Sequence, residues 1–520
     1  TSKPLISAIA MRFVSTRGGD SAACLGAAAL QGWAADGGMF LPAALPHWGP
    51  AEIDGMRGLS FEELAFAVLA PLAVDEDGGE LSISAEELRQ LLSSAFSCFP
   101  GGEVVSLHRR VLEGVSVVDL WRGPSLAFKD IGMSVLAALL DLLLTRTGRR
   151  LNVVVGTSGD TGPSAMCAVS GKQSMTCTVL YPLGRVSQAQ ELQMINADAQ
   201  ASNLRLVGVE GTSDDLDAPV EALLKDPVRR EALSLGSLNS VNVVRVLAQA
   251  VHCFWCYLRA TEGGPGAGAG GVTLVVPTGA GGHATAALLA VEMGLPLKGI
   301  VVATNENDIM HRILANGEVR RSPEVVQTPA PAMDIQVPYN IERIFFLAAQ
   351  DPSVAASLMD GIRSGVEPAA VPPAVSSWLA ERGVVSESVS TAAITEAMAS
   401  SISCGRLQDP HTAVGLAAAR RRGAPGDAGA GEVVVMGCAH PVKFLSAVED
   451  AAAAAGGRAA GLGVESLLPE AEANPHVAQL LSQLRGGAGE GPRRPPAVFR
   501  REEAEQWSAQ LEAIVRELVA

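Results

Sequence analysis

Short apolar runs alternate along this chain with longer segments of helical periodicity. The apolar runs are rich in β-branched residues and short enough to be buried parallel strands. We predict strands at 152–155, 176–181, 204–209, 273–276, 299–303 and 432–436. Helices are predicted between them at 132–144, 187–198, 216–225, 241–258 and 283–293. This alternation favours an α/β fold with doubly wound, mostly parallel sheets.

Segments rich in glycine, proline and alanine interrupt this pattern and are predicted to be loops or linkers. They lie at 262–271, 423–431, 453–463 and 485–496. We predict an extension of uncertain role at 1–10, an N-terminal module at 11–100, a catalytic core at 101–450 and a C-terminal segment at 451–520. The last segment ends in an amphipathic helix whose apolar face is expected to dock on the chain itself. That face carries Trp507, Leu511, Ile514, Val515 and Leu518.

Composition narrows the class of protein. The chain has 520 residues, 48% of them hydrophobic, which is enough for more than one core. Its net charge is 39 − 55 = −16, which argues against nucleic acid and anionic membranes as partners. No apolar run reaches the roughly 20 residues that span a bilayer. We expect a cytoplasmic protein, or an organellar one if residues 1–10 are the remnant of a targeting segment.

The cysteines do not indicate a disulfide framework or a metal centre. There are eight, spread along the chain, and in a protein of this size they are expected to be reduced core residues. Cys253 and Cys256 form a CxxC inside an apolar stretch that predicts a buried helix. We therefore predict no metal site.

Lys129 is the first candidate for chemistry. It follows a Pro-Ser turn and an apolar Leu-Ala-Phe sequence, and it opens an apolar helix. A lysine placed there loses part of its hydration, which favours the neutral amine that Schiff-base chemistry needs. On position alone, a surface lysine near a helix start is the more ordinary interpretation.

The strand at 152–155 runs into the sequence Gly-Thr-Ser-Gly-Asp-Thr-Gly at 156–162, and a helix follows. Exposed amides and a helix N-terminus make such a turn an anion site. The sequence also approaches the nucleophile elbow of serine hydrolases, but Asp160 occupies the position of the final glycine, which disfavours a hydrolase. An ordinary capped turn is the alternative.

A second glycine-rich turn, Gly-Ala-Gly-Gly-His at 279–283, also joins a strand to a helix. Its glycines permit close approach to an oxygen-rich ligand, and phosphate is the natural guest. The same stretch fits a dinucleotide-binding pattern with Glu306 beyond the next strand, so a nicotinamide-dependent oxidoreductase is an alternative. A further polar turn carries Cys438 and His440, which face a ligand or form a plain loop.

Together these segments resemble the threonine synthase family of fold type II pyridoxal-phosphate enzymes, whose fold is tryptophan synthase beta-like. The resemblance is densest at 123–130 and 156–162. It extends to 13–18, 35–42, 187–194, 210–215, 238–245, 303–308, 333–336 and 409–415.

The resemblance implies roles for individual residues. Pyridoxal 5'-phosphate would be the cofactor and Lys129 its Schiff-base lysine, which then shuttles protons. The substrate carboxylate would bind at Thr157, Ser158, Gly159, Asp160 and Thr161. The cofactor would be held by Lys129, Gly279, Ala280, Gly281, Gly282, His283 and Cys438. Asn242 and Arg245 are candidates for the substrate phosphate. The expected partner is a small phosphorylated amino acid, bound by a monomer or homodimer.

Two departures from the family pattern affect the expected product. The family turn usually reads Gly-Asn-Phe-Gly-Asn, and Cys438 stands where a threonine usually contacts the pyridine nitrogen. Ala280, with Val-Pro-Tyr-Asn at 337–340, is closer to the threonine synthase-like phospho-lyases. We expect phosphate elimination from O-phospho-L-homoserine with water addition giving L-threonine. The alternatives are release of 2-oxobutyrate, ammonia and phosphate from O-phosphohomoserine or phosphothreonine, and a non-catalytic relative.

Overall fold

The structure is a computed structural model of the chain, and it describes residues 11–75, 77–112, 114–262, 270–365, 369–422, 431–456, 474–485 and 496–519. The predicted extension at 1–10 and most of the four predicted linkers lie outside the described residues. Residues 453–455, predicted to be loop, instead belong to a helix.

An N-terminal module precedes the core. It consists of a small antiparallel sheet in the order β2–β1–β3 and four helices. Its strands are β1 (Phe13–Ser15), β2 (Ser21–Ala22) and β3 (Phe40–Pro42), and its helices are α1 (Leu25–Gln31), α2 (Pro50–Asp54), α3 (Phe61–Ala73) and α4 (Ala85–Phe96). Ser60 and Ser84 cap α3 and α4 through capping boxes, which satisfy the free amides of the first turns.

The remaining strands form two large sheets and a short antiparallel pair. They are β4 (Ser106–Leu112), β5 (Val115–Asp119), β6 (Leu151–Gly156), β7 (Met175–Pro182), β8 (Leu204–Val209), β9 (Leu235–Gly236), β10 (Val272–Pro277), β11 (Leu297–Thr304), β12 (Glu318–Val319), β13 (Ala369–Ala370), β14 (Val384–Ser388), β15 (Glu432–Gly437) and β16 (Ala497–Phe499). The six-stranded sheet has the order β14–β11–β10–β15–β5–β4 and is parallel except for β4. The five-stranded sheet has the order β16–β8–β7–β6–β9 and is parallel throughout.

Helices cover both large sheets. They are α5 (Lys129–Thr147), α6 (Thr161–Val169), α7 (Gln188–Gln200), α8 (Asp217–Leu224), α9 (Pro227–Ala232), α10 (Val243–Ala260), α11 (Gly282–Glu292), α12 (Ile309–Asn316), α13 (Ile341–Ala349), α14 (Pro352–Ser364), α15 (Pro373–Glu381), α16 (Thr391–Ser403), α17 (Pro410–Arg421), α18 (Leu445–Ala455), α19 (Pro475–Leu484) and α20 (Trp507–Val519). The six predicted strands correspond to β6, β7, β8, β10, β11 and β15. The five predicted helices correspond to α5, α7, α8, α10 and α11. The α/β fold with mostly parallel sheets is thus confirmed.

The C-terminal segment docks on the five-stranded sheet. Strand β16 pairs with the edge strand β8, and α20 packs against α8. Trp507, Leu511 and Val515 are buried in that contact, whereas Ile514 and Leu518 are half-buried. This confirms the expectation that the apolar face of the helix packs on the chain itself. Among the described helices, none has the length and apolar character needed to cross a membrane.

Candidate active site

A cavity lies where the turns after β5, β6, β10 and β15 meet. The space between its walls is about 930 Å³, part of it open to solvent. Turns at the carboxyl ends of parallel strands are the usual place for ligands in α/β sheets. The predicted site residues that line it are Lys129, Thr157, Ser158, Thr161, Arg245, Gly279, Ala280, Gly281, Gly282, His283 and Cys438. Gly159, Asp160 and Asn242 are described but are not among the lining residues.

Lys129 is the first residue of α5, as the sequence predicted, and its side chain is mostly buried. The turn before it is held by Asp130, whose carboxylate accepts from the Ser125 amide at 2.9 Å and from the Ser125 hydroxyl at 2.6 Å. The Lys129 ammonium lies 4.5 Å from the centre of the Phe128 ring. These contacts aim one amine into the cavity from a rigid helix start.

Asp160 links two lysines behind the cavity wall. Its Oδ2 lies 3.4 Å from Lys129 Nζ, and its Oδ1 lies 2.7 Å from Lys443 Nζ. Gln190 also donates to Oδ1 at 2.8 Å, and Lys443 donates to the Ser125 carbonyl at 2.9 Å. Burial raises the pKa of Asp160, but the charges of Lys443 and Lys129 outweigh burial and hold it well below its usual value. Asp160 is therefore a carboxylate at every working pH.

The turn after β6 is closed by its own threonine. The Thr157 hydroxyl accepts hydrogen bonds from the amides of Gly159 at 3.0 Å and Gly162 at 2.9 Å. Gly159 has a φ of +145°, and a Cβ there would lie 2.6 Å from the Gln190 side chain, so glycine is required. The Ser158 hydroxyl donates to the Ala332 carbonyl at 3.2 Å. The turn presents the N-terminus of α6 to the cavity, which suits a carboxylate.

The turn after β10 forms a close-fitting cradle. Gly281 has a φ of +84°, and a Cβ there would lie 3.3 Å from Asn340 Cβ. A Cβ on Gly279 would lie 3.0 Å from the Ala332 carbonyl oxygen. The Asn340 amide donates to the Ala280 carbonyl at 3.1 Å and ties the turn to α13. Backbone and helix N-terminus thus replace the side chains that this turn lacks.

His283 closes the cradle on the Lys129 side. Its ring stacks on Phe128 with centroids 4.9 Å apart and an interplanar angle of 24°. Burial and the nearby Lys129 charge lower the pKa of His283 to about 3, so the imidazole is neutral. Its Nδ1 has no hydrogen-bond partner although the atom is buried.

Cys438 lines the cavity on the turn after β15, the strand that pairs with β10. Its thiol makes only a 3.5 Å contact with the Met436 carbonyl, and burial raises its pKa well above the usual value. The thiol therefore stays protonated and is a weak hydrogen-bonding partner. His411 lies nearby; its Nε2 accepts from the Ala332 amide at 3.1 Å and its Nδ1 donates to Asp409 at 2.9 Å. This dyad fixes the wall beside Cys438.

The two candidates for the substrate phosphate separate in the structure. Asn242 caps α10, accepts from the Val244 amide at 3.3 Å and donates to the Ala29 carbonyl at 2.8 Å. Arg245 does line the cavity; its NH1 donates to the Leu238 carbonyl at 2.7 Å, and its buried Nε has no partner. Asn242 has a structural task, whereas Arg245 keeps a free donor. Both assignments stay predictions.

The dinucleotide alternative does not fit this arrangement. Glu306, which would have to reach a ribose, is exposed and accepts from the Thr391 amide at 2.7 Å. It does not line the cavity, among the described residues, whereas Lys129 does.

Several residues that shape the site were not singled out from the sequence. They are Phe128, Asp214, Asp217, His252, His411 and Lys443. Lys443 could have been found from the sequence, because it lies shortly after β15, five residues beyond Cys438, and has an apolar residue on each side. Asp217 and His252 had none, since their place depends on how distant helices pack.

The residues present fit pyridoxal phosphate. A Cβ on Gly279, Gly281 or Gly282 would press on Ala332, Asn340 or Ser240, so the turn leaves its backbone bare. The buried Nδ1 of His283 is unpaired, and Lys129 lines the same cavity. These features suit a phosphate at the glycine turn and a carbonyl carbon at Lys129.

Fold and site define a pyridoxal-phosphate enzyme of fold type II. The profile of the family described as "Pyridoxal-phosphate dependent enzyme" matches residues 105–439. The profiles "Threonine synthase N terminus" and "Threonine synthase, C-terminal" match residues 12–96 and 412–483. The chain belongs to the threonine synthase family, which makes it a pyridoxal-phosphate-dependent carbon–oxygen lyase acting on phosphates.

Individual relatives agree. Threonine synthase-like 2 of Homo sapiens is 39% identical over 414 residues, which cover 78% of this chain and 82% of the human protein. Threonine synthase of Saccharomyces cerevisiae is 32% identical over 451 residues, covering 82% of this chain and 85% of the yeast protein. The crystal structure of yeast threonine synthase superposes with a TM-score of 0.82 at 28% identity, covering 98% of this chain and 99% of the other. Pyridoxal-phosphate-bound threonine synthase of Brucella melitensis gives 0.79 at 32% identity with the same coverage.

We predict that Gly281→Val weakens binding of the cofactor about 10–100-fold. A valine at this left-handed backbone position, in contact with Asn340, would strain the turn by about 1–3 kcal/mol. The measurement is a titration of cofactor-free protein with pyridoxal phosphate, followed by visible absorbance. Gly58→Val is the matched control: φ there is +79°, a Cβ at that position would meet nothing within 4 Å, and Gly58 has no part in the cavity. Equal affinities of the Gly281 variant and the wild type would contradict the cradle assignment.

Proposed function

We propose that this chain eliminates phosphate from O-phospho-L-homoserine and adds water to give L-threonine. The observation that carries the proposal is Arg245, a buried guanidinium that lines the same cavity as Lys129 and whose Nε has no hydrogen-bond partner. Burial lowers the pKa of Arg245 to about 10, which still leaves it charged at neutral pH. An unpaired buried cation is costly unless an anion joins it, and a phosphate group of the substrate supplies that anion.

Each part of such a substrate has a matching group in the cavity. The amides of the turn at Thr157 would receive its carboxylate, and Arg245 with the Ser240 hydroxyl would receive its phosphate. Lys129 lines the same cavity and would face Cα. This arrangement selects an amino acid with an anion at its far end.

Proton transfer falls to Lys129. When bound, the cofactor supplies an electron sink for the charge left at Cα. The Lys129 amine would take the proton from Cα, and Asp160 at 3.4 Å stabilises the ammonium that results. The amine would pass that first proton to the departing phosphate and take a second proton from Cβ as the bond between Cγ and the phosphate oxygen breaks. It would then return a proton to Cγ, and the proton released when water adds at Cβ would go back to Cα. His283 and Cys438, both neutral, add no competing charge.

A second outcome is favoured by Cys438. A thiol at this wall would hydrogen-bond the ring nitrogen of the cofactor only weakly, so the cofactor's electronics would differ from those in family members with a threonine there. The reaction would then end with 2-oxobutyrate, ammonia and phosphate. Both outcomes consume one water and release one phosphate for each O-phosphohomoserine.

The experiment is to incubate the holoenzyme with O-phosphohomoserine and to assay phosphate, threonine and 2-oxobutyrate in one sample. We expect equal amounts of phosphate and threonine. Equal phosphate and 2-oxobutyrate would replace the synthase with the phospho-lyase, and no phosphate from a cofactor-loaded protein would contradict both.

Lys129→Ala should release no phosphate. The control is Lys172→Ala, which removes another aspartate-paired lysine, 2.9 Å from Asp141 and outside the cavity.

We further predict that the KM for O-phosphohomoserine rises as pH increases through about 8, while kcat changes little. Burial, with Asp214 and Glu221 nearby, raises the pKa of Asp217 to about 8, and Asp217 lines the cavity. Below that pH the carboxyl is neutral, and above it the carboxylate repels an anionic substrate. Asp217→Asn should keep KM flat between pH 7 and about 9. A KM that rises equally in both proteins would show that another group titrates.

A further inference from the structure

His252 and His283 form a buried pair behind the glycine cradle. Their Nε2 atoms are 2.7 Å apart, and their rings are nearly perpendicular at 84° with centroids 4.7 Å apart. The ring centroids lie much farther apart than the two Nε2 atoms, so each ring turns its Nε2 toward the other ring. An N–H···N hydrogen bond requires this orientation. His252 lies on α10 and is fully buried, whereas His283 is the second residue of α11 and lines the cavity.

One proton must lie between the two nitrogens, and both rings are neutral. Burial, with His283 beside it, lowers the pKa of His252 well below the usual value, and the pKa of His283 is lowered to about 3. A neutral imidazole carries its hydrogen on one nitrogen only, and the partner of one nitrogen decides the state of the other. If His252 donates the shared hydrogen, His283 carries its own hydrogen on Nδ1. If His283 donates it, the Nδ1 of His283 is left with a lone pair.

We propose that His252 is a positioning residue that donates its Nε2–H to His283 Nε2 and thereby makes His283 Nδ1–H a donor to the cofactor phosphate. The proposal rests on the placement of that phosphate at the Gly279–His283 turn, not on the identity of the substrate. The Nδ1 atoms of His252 and His283 are both buried and unpaired, and of the two residues it is His283 that lines the cavity. Phosphate oxygens only accept hydrogen bonds, so they select the tautomer with the hydrogen on Nδ1.

A metal ion is the competing occupant of this cluster. The ligand atoms of His252, Cys253 and His283 all lie within 4.8 Å of one another. Two nitrogens bound to one zinc ion at about 2.0–2.1 Å would lie about 3.3 Å apart, farther than the 2.7 Å found here. Cys253 Sγ also contacts the Gln249 carbonyl of its own helix at 3.6 Å. The geometry therefore favours a shared proton.

The test compares two ligands that differ only in the phosphate. Cofactor-free wild type, His252→Phe, His252→Gln and Cys256→Ala are titrated with pyridoxal phosphate and with pyridoxal. We expect His252→Phe to lose about tenfold or more in affinity for pyridoxal phosphate, as for loss of a hydrogen bond to a charged group, with pyridoxal unaffected. Gln retains a donor and should recover most of the loss. Cys256→Ala, another fully buried change one turn along α10, should match the wild type for both ligands.

Three results would overturn the proposal. Unchanged affinity of His252→Phe for pyridoxal phosphate would show that His283 needs no donor. An equal loss for both ligands would show that His252 acts only through packing. Stoichiometric zinc in the purified wild type, with cofactor affinity lost on chelation, would assign the cluster to a metal. Because no substrate is used, these results are independent of whether the enzyme makes threonine.

Discussion

The ionised carboxylate of Asp160 is the interaction on which the rest of the site depends. Asp160 follows β6 of the five-stranded sheet, whereas Lys129 and Lys443 follow β5 and β15 of the six-stranded sheet. Asp160 and Lys443 are fully buried, and buried charges are tolerated only when they are paired and hydrogen-bonded. The two sheets therefore have to meet in the one arrangement that closes this ion pair, and that arrangement forms the cavity.

The two lysines do not share Asp160 equally. Lys443 is the closer, at 2.7 Å, and its second hydrogen bond goes to the Ser125 carbonyl, so it is fixed in place. Lys129 lies at 3.4 Å and remains partly accessible from the cavity. Lys443 thus provides the permanent counter-ion. Lys129 is left free to exchange between Asp160 and a ligand in the cavity, which is what its proposed role in binding the cofactor and moving protons requires.

The sequence was most informative where a residue type has one physical use. Glycine-rich turns after apolar strands predicted the cradle and the Thr157 turn, and the position of Lys129 at a helix start was confirmed. Strand β5 was not predicted because Ser116 and Asp119 break its apolar run; the structure satisfies them with Glu432 and with His108 and Arg406. His252 and Lys443 were not predicted because their partners are 31 and 283 residues away along the chain (443 − 160 = 283). Such pairs exist only once the helices and sheets have packed.

A double-mutant cycle on Asp160 and Lys443 tests the central claim most directly. The free energy of unfolding would be measured by urea denaturation for the wild type, Asp160→Asn, Lys443→Met and the double variant. Each single change should cost about 3–5 kcal/mol, because it leaves a buried charge without its partner, and the double variant should lose clearly less than the sum. The half-exposed pair of Lys172 and Asp141 is the control, with a coupling of about 0–1 kcal/mol. Additive losses at Asp160 and Lys443 would contradict the account.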